Sequence, residues 1–174
     1  KYGFIDKSGK VVIEPQFDAL SLYGVTLSFR EGFAEVKKDG KWGFIDKSGK
    51  VVIEPQFDEV HAFSEGLAQV KKDGKWAFLD KSGKVVIEPQ FDYPGYFSEG
   101  LAWVKIDNKL GYIDKNGKVV IELQFDDGGA FSEGLALVGK DDKWGYIDKN
   151  GKVVIEPQFD VAYPFSEGLA KVRR

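Results

Sequence analysis

A single phrase recurs five times along the sequence. KYGFIDKSGKVVIEPQFD begins at Lys1, and close variants begin at Lys41, Lys75, Lys109 and Lys143. The last four copies are spaced by 34 residues, and the first gap is 40. Self-similarity at such a period is the signature of a repeat architecture, in which each repeat is one small unit that stacks on its neighbours. This repeat constrains the fold more than any other feature of the chain.

A second phrase recurs in step with the first. Its copies are FREGFAEV (29–36), FSEGLAQV (63–70), FSEGLAWV (97–104), FSEGLALV (131–138) and FSEGLAKV (165–172). We call its seventh residue position x and the segment before it the connection. The connections are 19–28, 59–62, 93–96, 127–130 and 161–164. The repeats differ from one another mainly in the connections and at position x.

Short β-branched or aromatic runs bounded by turn residues predict strands, and no segment keeps a helical period for ten residues. Asp73-Gly74 predicts a two-residue type I′ hairpin turn. The DKSGK and DKNGK segments predict a second hairpin, with Gly in the left-handed position and the Asp side chain capping the turn. EPQFD is expected to leave the sheet at its proline. Each repeat is thus an antiparallel meander of three strands, or of four if PQFD adds a short one.

Both faces of the predicted meander are apolar. Trp42 and Phe44 point to one face and Ile45 to the other, while Val51 and Ile53 oppose Val52. A sheet that is apolar on both sides must lie between two neighbours. We therefore expect all of 1–174 to form one domain of five stacked repeats.

The two ends of the chain suggest how the array is completed. It begins with KYGFID, without the GLAxV strand that precedes the other copies, and ends with GLAKVRR, without the strand that follows the others. If 169–174 completes the repeat begun at residue 1, the fold is a closed, five-bladed, propeller-like ring. The alternative is an open superhelix of β-hairpins. Because residue 1 is Lys and no Met occurs, we expect a fragment, a processed product or an idealised sequence.

The recurring KWGFIDKSGKVVIEPQFD…FSEGLAxV resembles the WG, or KWG, repeat of bacterial proteins. The Trp-Gly dipeptide stands at Trp42-Gly43 and Trp144-Gly145, and is altered at 2–3, 76–77 and 110–111. The resemblance covers essentially the whole chain. It implies tandem β repeats, often in large, surface-exposed or multidomain proteins. It carries over no catalytic residue.

Composition excludes several classes of site. There is no Cys, so a disulfide, a thiol nucleophile and a zinc–thiolate site are all ruled out. The net charge is −3 with both signs interspersed, which argues against nucleic acid as a partner. No apolar run approaches the length of a membrane span, so membrane insertion is not expected.

The recurring polar residues are expected to serve structure. The Asp residues of DKSG could bind a cation in a ring, but capping of their own turns is the simpler interpretation. The Glu residues of the EG turns have identical settings, whereas a glycosidase pair needs unlike ones. No catalytic residue, metal site or cofactor is therefore predicted.

The variable positions provide the candidate ligand-binding residues, because repeat proteins often bind through them. These residues are Tyr23, His61, Tyr93, Tyr96, Trp103 and Tyr163. Packing between repeats and, for His61, a simple connection role are the competing interpretations.

The predicted function is a non-enzymatic recognition or scaffold module for a protein or surface ligand. The alternatives are a carbohydrate-binding lectin and a consensus-type structural scaffold without a ligand. An enzyme is the least favoured class.

Overall fold

The computed structural model describes residues 1–19 and 29–174, and the regular structure there consists of nineteen β-strands in antiparallel sheets. The described residues contain no helix, so the all-β prediction with five repeats is confirmed. The chain divides into two compact units, Lys1–Pro89 and Gln90–Arg174, and the division falls inside the strand Val85–Phe91.

The first unit carries three sheets, whose hydrogen-bonded orders are β1-β2, β3-β4-β5 and β6-β7-β8-β9. Their strands are β1 (Tyr2–Ile5), β2 (Val11–Phe17), β3 (Phe33–Lys38), β4 (Lys41–Asp46), β5 (Val51–Phe57), β6 (Glu59–Val60), β7 (Leu67–Lys72), β8 (Lys75–Asp80) and β9 (Val85–Phe91).

The second unit also carries three sheets, ordered β10-β11-β12-β13, β14-β15-β16-β17 and β18-β19. Their strands are β10 (Tyr93–Pro94), β11 (Ala102–Ile106), β12 (Lys109–Ile113), β13 (Val119–Phe125), β14 (Asp127–Gly128), β15 (Leu135–Lys140), β16 (Lys143–Asp148), β17 (Val153–Phe159), β18 (Val161–Ala162) and β19 (Val172–Arg173).

The tight hairpin turns form as predicted. Asp73 and Gly74 have φ of 51° and 79°, the pair of positive values that a type I′ turn needs. Asn108 and Asp142 take the glycine's place in two other copies, at φ of 62° and 60°. In the DKSG hairpins Gly49 has φ of 85°, and its N–H bonds to the Asp46 carbonyl at 3.0 Å.

The proline does not end its strand, so this prediction was wrong. β5 runs through Pro55, because the ladder shifts register between the Trp42–Phe57 and Phe44–Ile53 pairs. In this bulge a Cβ on Gly43 would lie 2.3 Å from the Ile53 carbonyl oxygen. Proline is tolerated at a bulge, where the regular ladder is interrupted. The bulge does not require the proline, because the β12–β13 ladder has the same register shift with Leu123 in its place.

The fourth strand also lies elsewhere than PQFD. It is formed by the first two residues of the connection, and β6 pairs with β7 through Glu59–Lys71 and Val60–Val70. Sequence patterns miss it because two variable residues carry no periodicity. The connections 59–62, 93–96 and 127–130 thus begin as edge strands beside the strand that carries position x.

Successive sheets in a unit stack face to face, as predicted from the apolar residues on both faces of the meander. Trp42, Phe44 and Ile53 form one core cluster with Ala68, Val70 and Leu79 of the next sheet. Ile45, on the opposite face of β4, joins a different cluster with Ile13 and Phe17. The second unit repeats the arrangement, with Tyr112 and Ile121 packed with Val138 and Ile147.

The EG turns connect one repeat to the next. The N–H of Gly134 donates to the Glu99 carboxylate at 3.0 Å, and the Ser98 hydroxyl donates to the Phe131 carbonyl at 2.8 Å. Gly66 with Glu31 and Gly168 with Glu133 make the same contact. Glu99 has φ of 52°, which is unfavourable for a side chain with a Cβ. The bond to the next turn offsets that strain.

We expect Glu99→Ala to lower the free energy of unfolding by about 1–2 kcal/mol more than Glu167→Ala, the net contribution of a bond to a charged acceptor. Both residues have φ near 50°, but Glu167 belongs to the last EG turn of the sequence. Glu99 also lies 3.6 Å from the Lys149 ammonium, so the difference between the two variants measures the bond to Gly134 together with this exposed ion pair. Urea denaturation measures it, and equal losses would contradict the proposed role.

Ring closure stays a prediction. Within residues 1–19 and 29–174, β1 pairs with β2, and β19 pairs with β18. The assignment of 169–174 to the repeat begun at residue 1, and the choice between ring and superhelix, are likewise untested predictions.

Candidate recognition surface

The aspartates of the DKSG hairpins cap their own turns, as predicted. Asp46 Oδ1 accepts bonds from the Ser48 hydroxyl at 2.6 Å, the Ser48 N–H at 2.9 Å and the Lys50 N–H at 3.1 Å. The bond from the Ser48 hydroxyl is the main cause that lowers the pKa of Asp46. In the described part of the chain no group of three His, Asp or Glu residues is arranged to hold a metal ion.

A second recurring carboxylate joins adjacent sheets. Asp58, which follows β5, pairs with the Lys41 ammonium at 2.5 Å and accepts the Asp73 N–H at 3.2 Å. The Lys41 ammonium is also the main cause that lowers the pKa of Asp58. Asp126 makes the corresponding contacts with Lys109 and Asp141. These recurring charged groups therefore have structural partners.

The variable residues of a connection and of position x meet as cross-strand neighbours. In the connections 59–62, 93–96, 127–130 and 161–164 the third residue donates its N–H to the carbonyl at position x, as His61 does to Gln69 at 2.9 Å. In the same way, the Gly95 N–H donates to the Trp103 carbonyl at 2.8 Å, and the Tyr163 N–H donates to the Lys171 carbonyl at 3.0 Å. The two variable parts of a repeat thus lie side by side, and we call the residues 93–96 together with Trp103 the recognition surface.

The side chains of these pairs fit each other. The indole of Trp103 lies against Gly95, where a Cβ would come 2.2 Å from Nε1. The Lys171 ammonium lies 5.4 Å from the ring centroid of Tyr163. Variation at position x is therefore matched by variation in the connection.

Position x also bears an ionisable group in a half-buried setting. Burial raises the pKa of Glu35 to about 7, and the nearby Arg30 opposes this only in part. In the next copy of the phrase the same position is Gln69, which is 4% exposed.

We expect stability to fall as the pH rises from about 4.5, the ordinary pKa of Glu, to about 7. The unfolded chain ionises first, so the folded state increasingly holds a proton that the unfolded state has lost, and above pH 7 it buries a charge. The shift corresponds to at most about 3 kcal/mol. Glu35→Gln should remove this component. Urea midpoints at pH 5 and pH 8 measure it, and an unchanged pH difference in the variant would contradict it.

The structure distributes the predicted ligand-binding residues unevenly. Tyr23 lies outside the described residues. Tyr93 and Tyr96 expose 62% and 57% of their surface, and Tyr163 exposes 48%. Trp103 is half-buried and packs against the Leu110–Tyr112 cluster. Tyr93, Tyr96 and Trp103 belong to one repeat, whereas His61 and Tyr163 belong to two others.

His61 is built into its connection. Its ring lies 4.7 Å from that of Trp76, and its Nδ1 shares a hydrogen bond with Gln69 Oε1. A ligand-binding role for any of these six residues stays a prediction.

One feature was missed at the sequence level. A cavity of about 430 Å³ is lined by Trp144, Gly139, Asp127 and neighbouring charged residues. Gly139 stands where three other copies have Lys37, Lys71 and Lys105. This replacement of a lysine by Gly139 is the sequence feature that could have indicated the cavity.

A sequence model described as "WG containing repeat" matches the chain five times, over residues 2–42, 42–76, 77–109, 111–144 and 144–174. The chain belongs to the WG repeat family. In the WG dipeptide Trp42 is 3% exposed and Gly43 admits the Ile53 carbonyl, so both residues serve the frame of the WG repeat.

Solved structures give more distant likenesses. PorZ, a bacterial surface component of the type-IX secretion system of Porphyromonas gingivalis, matches at a TM-score of 0.45 and 10% identity. The match covers 96% of this WG repeat chain, which spans 26% of the PorZ chain. A plant lectin with two metal-binding sites from Cicer arietinum matches at a TM-score of 0.32 and 13% identity, over 70% of this chain and 83% of the lectin. At TM-scores below 0.5 neither likeness supports a function. No curated protein matches in sequence.

Proposed function

We propose that this WG repeat chain is a non-enzymatic recognition module that contacts a protein partner through its recognition surface. The observation that carries the proposal is the contrast between recurring and variable side chains. Recurring carboxylates and lysines bond to turns and neighbouring sheets, whereas Tyr93 and Tyr96 project into solvent at 62% and 57% exposure. Tyrosine offers a flat, amphipathic surface of the kind enriched in protein interfaces.

Neighbouring groups favour a mixed, polar contact. Tyr93 pairs across the strands with Lys105, and Trp103 supports the same connection through Gly95. The half-buried Trp103 ring against Gly95 holds the connection in one conformation, which reduces the entropy lost on binding. A folded partner or an extended peptide with apolar and acidic residues would complement this surface.

Carbohydrate binding is the second candidate. Its specific support is the exposure of two tyrosine rings in one connection, since aromatic faces also stack on sugars. A scaffold without any ligand is the third outcome that an experiment must separate.

Peptide and glycan arrays probed with the labelled chain test the proposal. We expect binding to a subset of peptides that falls at least tenfold in Tyr93→Ser/Tyr96→Ser. Tyr2→Ser is the matched control, because Tyr2 is also 57% exposed but lies in the recurring phrase. Glycan binding lost in the same double variant would favour the lectin instead. Silence on both arrays, or equal losses in the control, would overturn a recognition role for this surface.

The absence of catalysis is part of the proposal. It rests on the equivalence of the recurring carboxylates, which offers no acid–base pair with opposed environments. Turnover of any substrate in a hydrolase screen, lost in Glu99→Gln, would overturn it.

The described residues include no helix long and apolar enough to cross a bilayer.

A further inference from the structure

Two copies of the repeat cover a tryptophan with one of their own lysines. Lys37 and Trp42 are cross-strand partners, and the Lys37 ammonium lies 5.6 Å from the indole ring centroid. Lys71 and Trp76 repeat the pair at 5.7 Å. A cation over an indole at this distance is a favourable cation–π contact.

The Lys71 ammonium has a second partner. It forms an ion pair with Glu59 at 2.6 Å, and Glu59 faces Lys71 across strands β6 and β7. An indole face and a carboxylate thus hold one alkylammonium group between them. The chain's own lysine shows which chemistry this arrangement accepts.

In the β14–β17 sheet the two receptor groups remain but the lysine is missing. Trp144 pairs with Gly139, and Gly139 pairs with Asp127, in the register that Trp76, Lys71 and Glu59 have elsewhere. A Cβ on Gly139 would lie 3.4 Å from the Trp144 ring. Trp144 is more exposed than Trp42 and Trp76, which are 3% and 4% exposed.

The cavity of about 430 Å³ opens at this position. Its size falls in the range of small-molecule sites, about 300–1,000 Å³. Its charged lining residues are Asp126, Asp127, Lys140, Asp142, Lys143 and Asp160. Lys143 pairs with Asp160 at 2.5 Å, and Asp126 pairs with Lys109 at 2.6 Å. Carboxylates outnumber ammonium groups, which favours a cationic occupant.

We propose that the Trp144 cavity binds a primary alkylammonium group, such as a lysine side chain of a partner, in the position that Lys71 occupies over Trp76. Trp144 provides the aromatic face and Asp127 the carboxylate. Asp127 also accepts the Gly128 N–H at 2.9 Å, which orients the carboxylate. The site is distinct from the Tyr93 and Tyr96 surface and does not depend on it.

NMR titration of the ¹⁵N-labelled chain with Nα-acetyl-lysine methylamide, whose side-chain ammonium is free, tests this proposal. We expect saturable shifts of the Trp144 indole N–H and the Gly139 amide, with a dissociation constant of roughly millimolar order, as befits one cation–π contact and one ion pair. N-acetyl-norleucine methylamide, which lacks the charge, should bind at least tenfold more weakly. Butylamine separates a free amine from a peptide lysine, and comparable binding of both supports an alkylammonium site.

Gly139→Lys is the decisive variant. It restores the residue found at Lys37 and Lys71, so the chain should fold, and its own lysine should block the site and lower ligand affinity at least tenfold. Trp144→Leu, which copies Leu110, should also lose at least tenfold, and Asp127→Asn several-fold. Unchanged affinity in Gly139→Lys, equal binding of the arginine analogue, or an absence of shifts in the unmodified chain would overturn the proposal.

Discussion

Gly145→Val is expected to destabilise the second unit by at least about 4 kcal/mol, at the upper end of single-site effects. A Cβ at this position would lie 2.4 Å from the Ile155 carbonyl oxygen and 2.7 Å from the Pro157 nitrogen. Both atoms belong to the bulged backbone of β17 and cannot move aside like a side chain.

Two comparisons make the measurement specific. Gly145→Ala should cost less, about 1–3 kcal/mol, because Ala77 fills the equivalent position and the local backbone accommodates a methyl group there. Gly129→Ala is the control, since its Cβ would meet nothing nearer than 4.0 Å. Urea denaturation of the three variants gives the order. A valine variant within about 1 kcal/mol of the Gly129→Ala control would contradict the close approach.

Tyr112→Ala should cost about 3–5 kcal/mol, as buried aromatic truncations do. Its side chain is 0% exposed and its ring meets Phe131 edge-on at 5.0 Å. Its hydroxyl donates to the Gly129 carbonyl at 2.8 Å, in the next connection. Tyr112→Ala therefore loses both the packing of the ring against Phe131 and the hydrogen bond to the next connection.

Tyr112→Phe separates these contributions. Phe44 and Phe78 occupy the same position, so the ring should be retained at a cost of only about 1 kcal/mol for the lost bond. Tyr96→Ala, at an exposed position, should change the free energy of unfolding by less than about 0.5 kcal/mol. Thermal and urea unfolding give these values. If Tyr112→Ala lowered the free energy of unfolding no more than Tyr112→Phe does, the packing of the Tyr112 ring against Phe131 would be refuted.

Local chemistry explains which features the sequence could predict. Turns at Asp73-Gly74 and DKSG are specified by residues that tolerate positive φ or cap their own backbone, so a few adjacent letters suffice. The opposed directions of Trp42 and Ile45 follow from strand alternation. These features need no knowledge of distant residues.

The missed features depend on residues far apart in sequence. Pro55 stays in its strand because the β4–β5 ladder shifts register there, which depends on the pairing with β4 and not on the segment around Pro55 alone. Glu99 bonds to Gly134, 35 residues away, and nothing in its own turn indicates this. Position x and the third connection residue pair only once the edge strand forms. Secondary-structure propensity is a property of each segment alone and contains no such couplings.

The candidate site was predicted in part. Variability of the connections predicts Tyr93 and Tyr96, whose rings are exposed, and Trp103, whose ring is half-buried against Gly95, and their ligand-binding role is untested. The Trp144 cavity escaped because its signal is a missing side chain. The lysine that Gly139 replaces has a defined place only in the folded Lys71–Trp76–Glu59 arrangement.

An exchange between repeats tests the central claim most directly. The YPGY connection at 93–96 is replaced with EVHA from 59–62, together with Trp103→Gln, so that one repeat takes the paired variable residues of another. We predict that the exchanged chain keeps its free energy of unfolding within about 2 kcal/mol, because each pair fits its own partner and only the ring contact of His61 with Trp76 is lost, since Leu110 stands in the place of Trp76. The exchanged chain should no longer bind the set of peptides that the unmodified chain binds on the peptide array. Retention of that binding would contradict the assignment of recognition to the variable pairs.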